Sequence, residues 1–348
     1  MHVHKNVYFD YFFFISTSIF LALGSIGIYR EAFLYLAMAN GVTALGYKLI
    51  QNSRIEIPKN FYLYFVFILT LFLHTILLNG NLYFCWLFAS GLIQWLVGYN
   101  FKEIFSKYFM YALTILGLLM GSLYFYSTVY PIEIPNLVSL FAPATETFKH
   151  SNIGDLWAVI LIGLFYNYTK RPSKAYIPLF LFGAYFLTVS YSRTAVLSLL
   201  LGILFIYFKT KREAFFKKYL SYILLFCCLV FVYISSSKTL VYSRPFFFDA
   251  IAGLYKYPLG TGLGNFGLVS LKTNLAHNII FEIVSAMGLF SVFFVYWFTN
   301  LIREFLKKSS NNVEYASMLL VIFVTFLFNT TYTIPSFVWI VFLVLCFL

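Results

Sequence analysis

Long apolar runs constrain this chain more than any other feature of its sequence. Of its 348 residues, 61% are hydrophobic and only 10% are charged, whereas soluble domains carry about 25% charged residues. Crossing a bilayer takes about 20 apolar residues in a helix. The sequence predicts an all-α, polytopic membrane helix bundle with about twelve transmembrane helices, because lipid-exposed sheet edges are not tolerated. The predicted spans are 8–28, 32–50, 61–78, 82–99, 108–128, 154–168, 175–190, 194–208, 219–235, 278–301, 315–328 and 335–348.

Basic residues are distributed unevenly between the two sides of these spans. If the N-terminus is cytoplasmic, most of the 24 lysines and arginines fall in inside segments, as the positive-inside rule requires. The net charge of +12 is therefore a topology signal and does not indicate nucleic-acid binding. We expect cytoplasmic N- and C-termini and no cleavable signal peptide. The basic residues left outside are Arg30, Lys149, Arg193, Lys238, Arg244, Lys256 and Lys272.

The spans leave no room for a separate soluble domain, so residues 1–348 are expected to form one membrane domain. The longest outer connection is 236–277, and the spacing of its apolar residues predicts a short amphipathic helix over Phe246–Tyr257, lying along the membrane surface. The GxGxxG match at Gly262–Gly267 lacks the strand and helix of a dinucleotide site, so it predicts tight turns instead. The four cysteines lie in apolar spans, and His74 is expected to be hydrogen-bonded between helices. No metal or cofactor is predicted.

Three ionisable residues stand out on the outer side. Arg193 lies at the junction of two spans, Arg244 opens the long connection, and His277, followed by Asn278, closes it. An imidazole can accept a proton near neutral pH, and guanidinium groups bind phosphate oxygens in bidentate fashion. A base together with two phosphate-binding groups in a membrane protein indicates a lipid-linked diphosphate substrate.

These segments resemble the O-antigen ligase and polymerase superfamily. His277-Asn278, nine residues, then GLFS resembles the H-[NSQ]-x9-G-x-x-G signature, with Ser291 where the last glycine is expected. SYSRT resembles the S-R-[ST] span start, the stretch SRPFFFDAIAGLYKYPLGTGLGNFG resembles the outer loop of the family, and KHSNIGD resembles its asparagine-bearing segment. The similarity covers roughly residues 149–292.

The resemblance implies a GT-C-like, metal-independent glycosyltransferase in the bacterial inner membrane. The donor would be a glycan on undecaprenyl diphosphate and the acceptor lipid A-core or another glycan, for lipopolysaccharide or polysaccharide synthesis. Arg193 and Arg244 would bind the diphosphate, and His277 would activate the acceptor hydroxyl. Asn278 would orient the site, and Lys256, Lys272 and Asp249 would contact phosphate or sugar. Ligase and polymerase activities both remain open, as does a lipid-linked glycan transporter or flippase.

Overall fold

The computed structural model describes residues 7–26, 30–51, 54–129, 150–190, 192–210, 246–269, 278–328 and 335–347. Within these ranges all regular secondary structure is helical, as the sequence predicts. The α-helices are α1 Val7–Ile26, α2 Arg30–Ile50, α3 Phe61–Leu77, α4 Leu82–Asn100, α5 Lys102–Val129, α6 His150–Lys170, α7 Tyr176–Val189, α8 Arg193–Thr210, α9 Phe246–Lys256, α10 Ile279–Met287, α11 Val292–Lys308, α12 Val313–Phe328 and α13 Pro335–Phe347. Short 3₁₀ turns cover Phe266–Leu268 and Gly288–Ser291.

Several apolar helices of the described chain fit a membrane protein. By length and composition, five segments of the described chain are long and apolar enough to cross a bilayer, and further apolar helices are shorter. Those five are Glu31–Ile50, Leu82–Asn100, Lys102–Ser122, Arg193–Thr210 and Ile279–Lys308. The predicted span 219–235 lies outside the described residues, and each of the other predicted spans contains at least one helix.

A chain of polar contacts marks one end of the bundle, which we call the basic end. Lys48 Nζ donates to Asn100 Oδ1 over 2.9 Å, joining the ends of α2 and α4. Lys59 lies 2.9 Å from Glu304 of α11, and Lys209 of α8 donates to the Ser310 hydroxyl. The opposite end, where α3, α7 and α12 finish, is called the site end.

Helix α6 forms the centre of the bundle, and its residues 152–166 are all buried. It contacts α5, α7, α8 and α12. Glycines on three of those neighbours meet it closely, because a Cβ on Gly117, Gly183 or Gly202 would lie less than 3.0 Å from an α6 side chain. Small residues at such contacts let helices approach when no hydrophobic effect drives them together within lipid.

The predicted span over 278–301 overlaps the candidate span Ile279–Lys308, but the structure interrupts its helix at Gly288. Gly288 has φ 54° and ψ −128°, which ends α10, and α11 starts four residues later. From there α11 runs antiparallel to α3: the ring of Phe294 lies 5.3 Å from Phe67, and that of Trp297 lies 4.6 Å from Tyr64. Helix α10 does not follow this direction, since it contacts both α3 and α12 near their site ends.

Candidate functional site

The start of α6 meets the turn between α7 and α8 at the site end. The Ser192 hydroxyl donates to Asp155 Oδ1 over 2.9 Å, and the Asp155 side chain is fully buried. Contact is close, because a Cβ on Gly154 would lie 2.1 Å from the Ser190 hydroxyl oxygen. Two segments separated by about forty residues, KHSNIGD and SYSRT, therefore form one packed unit.

Arg193 is the first residue of α8, and its position is set by the serine before it. The Ser192 oxygen accepts the Ala195 N–H over 3.1 Å, which caps the helix, while its hydroxyl hydrogen goes to Asp155. One side chain thus links the start of α8 to a buried carboxylate on α6. Arg193 itself is partly exposed.

Asn278 caps the start of α10 with its side chain. Its Oδ1 accepts the N–H groups of Ile280 and Phe281 over 2.9 and 3.1 Å, and its Nδ2 donates to the Leu327 carbonyl at the end of α12. Both lone pairs of the amide oxygen and one of the two amide hydrogens are therefore engaged. Such a side chain fixes the start of the helix.

Residues 258–264, which we call the glycine strap, cap the other end of α10. The N–H groups of Thr261 and Gly262 donate to the carbonyls of Ser285 and Ala286 over 3.0 and 2.9 Å. In return, the Leu289 N–H donates to the Pro258 carbonyl over 3.0 Å. The strap supplies the hydrogen bonds that α10 loses where it ends.

The glycines of the strap occur where the backbone requires them. Gly260, Gly262 and Gly264 have φ values of 91°, 81° and 82°, in the left-handed region that side chains disfavour. A Cβ on Gly260 would lie 2.2 Å from the Ala286 carbonyl oxygen. The prediction that the GxGxxG match serves tight turns is confirmed.

Three further contacts attach the strap to its surroundings. The Leu263 carbonyl accepts the Asn81 N–H over 2.8 Å, and the Gly264 N–H donates to Glu282 Oε1 over 3.3 Å. The buried His74 of α3 hydrogen-bonds through Nε2 to the Leu259 carbonyl. Because a carbonyl only accepts, Nε2 carries the hydrogen. His74 is hydrogen-bonded, as predicted, but its partner belongs to the strap and not to a neighbouring helix.

Helix α9 confirms the short helix predicted over Phe246–Tyr257. It packs on α10 through a small cluster in which Ala250 and Phe266 are buried and Phe281 is partly buried. Of the predicted substrate contacts, Asp249 lies in its first turn and is partly exposed, and Lys256 is its exposed last residue. The Lys256 Nζ lies 5.2 Å from the centre of the Tyr257 ring.

Helix α12 connects the two groups of candidate residues. Its end accepts from Asn278, and a Cβ on Gly202 of α8 would lie 2.9 Å from Val321 on α12. Arg193 and Asn278 thus stand at the starts of two helices that both contact α12, α8 at its middle and α10 at its end. The predicted residues Arg244, Lys272 and His277 lie outside the described residues.

Sequence reasoning gave no separate role to several polar residues that support this region. Asp155 and Glu282 are buried acids inside apolar helices, and Ser192 and His74 are buried as well. A charged residue within an apolar run is costly unless it has partners, and that cost is the signal that could have marked both acids.

Searches with this chain match no family model, no curated protein and no solved structure. Its function must therefore be inferred from its own residues.

Proposed function

We propose that this chain is an O-antigen ligase-like glycosyltransferase that moves a glycan from undecaprenyl diphosphate to an acceptor hydroxyl of lipid A-core. One observation supports this more than any other. The segment that carries Arg193 packs on the start of α6 through Ser192 and Asp155, so two motifs of the resemblance are adjacent in space. The segment that carries Asn278 reaches the same end of the bundle through α12.

In this proposal the two arginines bind the donor diphosphate. The acceptor oxygen forms a bond to the anomeric carbon of the donor sugar, while the bond from that carbon to the diphosphate oxygen breaks. The electron pair of the broken bond stays on undecaprenyl diphosphate, and Arg193 and Arg244 stabilise the added negative charge. Lys256 and Lys272 add positive charge around the phosphates, and Asp249 contacts sugar hydroxyls.

His277 removes the proton from the acceptor hydroxyl as the new bond forms. The residue after it, Asn278, is held by three hydrogen bonds. A base positioned in this way contributes about 10²–10⁴-fold to the rate. The basic end faces the cytoplasm of a bacterial inner membrane, and the site end faces outward.

Reconstitution tests the reaction and its acceptor. The purified protein in vesicles is given undecaprenyl-diphosphate glycan, with lipid A-core in one sample and only more donor in the other. Glycan on lipid A-core identifies a ligase, whereas a ladder of longer chains in the second sample identifies a polymerase of the same superfamily. Movement of the donor across the bilayer with no new glycosidic bond would identify a transporter and overturn the proposal.

Variants test the roles of the named residues in the same assay. We expect His277→Ala to reduce glycan transfer by at least about 10²-fold. His4→Ala, a histidine outside every motif, should leave the rate unchanged. If a well-inserted His277→Ala protein transferred glycan at nearly the wild-type rate, His277 would not be the general base.

Arg193 has a matched control at the opposite end of the bundle. Arg193→Lys keeps the charge but loses the bidentate geometry, so transfer should fall clearly, and Arg193→Gln should fall further. Arg171, exposed after α6 at the basic end, gives the paired variants Arg171→Lys and Arg171→Gln, which should transfer normally. Equal activity of Arg193→Lys and wild type would show that Arg193 contributes only its positive charge and not bidentate binding.

A further inference from the structure

The depth of the glycine strap can be read from its partners on α3. The Leu259 carbonyl bonds to His74, and the Phe290 ring lies 5.7 Å from the His74 ring. His74 is three residues before the last residue of α3, which places it about 5 Å inside that helix end. Leu259 and the 288–291 turn therefore lie at the level of the last turn of α3, whereas Leu263, whose carbonyl accepts from Asn81, lies beyond the end of that helix.

At this level the surface of the protein is apolar and open. Leu77, which lies nearer the helix end than His74, is 79% exposed, and Leu73 and Ile76 are exposed beside it. Leu259 of the strap is 57% exposed and Leu289 beyond the break is 72% exposed. Val292 continues this surface onto the exposed side of α11. Leu259 and Leu289 thus extend the surface that spanning helices present to lipid.

Lipid requires that the polar groups of irregular backbone be satisfied by protein, and most of those of the strap are. Four N–H groups of the strap donate within the protein. Those of Gly260, Thr261 and Gly262 donate to the carbonyls of Tyr257, Ser285 and Ala286, respectively, and that of Gly264 donates to the Glu282 carboxylate. Five carbonyls of the strap accept hydrogen bonds. Those of Pro258, Gly262 and Leu263 accept from the backbone N–H groups of Leu289, Asn265 and Asn81, respectively. Those of Leu259 and Thr261 accept from the side chains of His74 and Asn265, respectively. A loop in water would not need so many of its backbone groups to be paired within the protein.

We propose that the glycine strap is a re-entrant segment, with Leu259 and Leu289 in contact with the acyl chains of the leaflet at the site end. The partner for this surface is the bilayer itself, because Leu259 and Leu289 lie beside the exposed apolar residues of α3 and α11. The buried backbone of the strap then separates the end of α10 from the acyl chains. This inference does not depend on the proposed glycosyltransferase activity.

Spin-label accessibility in lipid vesicles tests the proposal on the full chain. Labels are attached at Leu259→Cys and Leu289→Cys after Cys85, Cys227, Cys228 and Cys346 are replaced by alanine. Collision with oxygen, which concentrates in lipid, is compared with collision with a water-soluble nickel chelate. Leu73→Cys on α3 provides the lipid reference, and Lys174→Cys, exposed at the basic end, provides the aqueous reference.

We expect the ratio of oxygen to nickel collisions at 259 and 289 to match that at position 73 and to exceed that at position 174 several-fold. A ratio equal to that at position 174 would overturn the proposal. Low collision with both reagents, together with dipolar broadening between labels, would identify a second copy of the chain as the partner and would also overturn it. Leu289 lies outside the strap, so its label still gives a result if Leu259→Cys prevents folding.

Discussion

At the site end, the contact between α6 and α8 and the contact between α10 and the glycine strap are made by different kinds of groups. We call these two regions the two halves of the site end. Where the starts of α6 and α8 meet, the side chains of Ser192 and Asp155 make the connection. Where α10 meets the glycine strap, backbone groups make most of the connection, and several glycines adopt positive φ. The first half can be altered one side chain at a time, whereas in the second half the backbone path itself depends on residues without a Cβ.

The largest effect is expected from placing a side chain in the strap. Gly260→Ala would force an unfavourable φ and a 2.2 Å contact with the Ala286 carbonyl oxygen, so we expect a loss of at least about 2 kcal/mol in the free energy of unfolding. Thermal unfolding in detergent provides the measurement. The control is Gly46→Ala in α2, where an added Cβ meets nothing within 4 Å. Equal stability of the two variants would contradict the backbone account of this half.

An intermediate effect is expected in the other half, from Ser192→Ala. This change removes a helix cap, worth about 1 kcal/mol, and the hydrogen bond to Asp155. The matched control is Ser198→Ala, another buried serine of α8, whose hydroxyl donates only to the Ala195 carbonyl of its own helix.

The contact between Ser192 and Asp155 can be isolated by adding Asp155→Ala and the double variant. If the two side chains act as a pair, the double variant should lose less stability than the sum of the single variants, by about 0.5 kcal/mol or more. Strict additivity, measured by the same thermal unfolding, would show that Asp155 supports α6 by other contacts alone.

The smallest effect is expected at Asn278, where the two halves meet on α12. Asn278→Asp keeps the oxygen that caps α10 but loses the Nδ2 donor to the Leu327 carbonyl, so the free energy of unfolding should fall by about 1 kcal/mol or less. Asn278→Ala loses both functions and should cost more. The order of melting temperatures, wild type then Asp then Ala, checks this expectation. An Asp variant no better than Ala would place the stabilisation in the Leu327 contact instead of the cap.

Local patterns were sufficient to predict the helices and the short helix α9, because apolar run length and spacing are properties of consecutive residues. They also predicted that the glycines of the strap serve turns. The break at Gly288 was missed because hydropathy continues across it: the residues on both sides are apolar, and nothing in the run marks a change of direction.

In the candidate site, too, local sequence patterns predicted some residues and missed others. Arg193 and Asn278 were singled out from their motifs, and the structure finds them on helices that both contact α12. Asp155, Ser192 and His74 acquired their roles only from partners distant in sequence, such as the strap carbonyl that His74 binds. A single sequence carries no signal for such a pairing.

The sequence by itself determined that the described chain is helical, with several helices apolar enough to fit a membrane protein. Hydrophobicity and charge act residue by residue, so they can be read without a fold. Only the tertiary structure decided that the apolar run after Asn278 is two helices, and that the glycine-rich segment is the cap between them. That decision depends on which distant carbonyl or N–H completes each hydrogen bond, and only the folded chain brings those groups within reach.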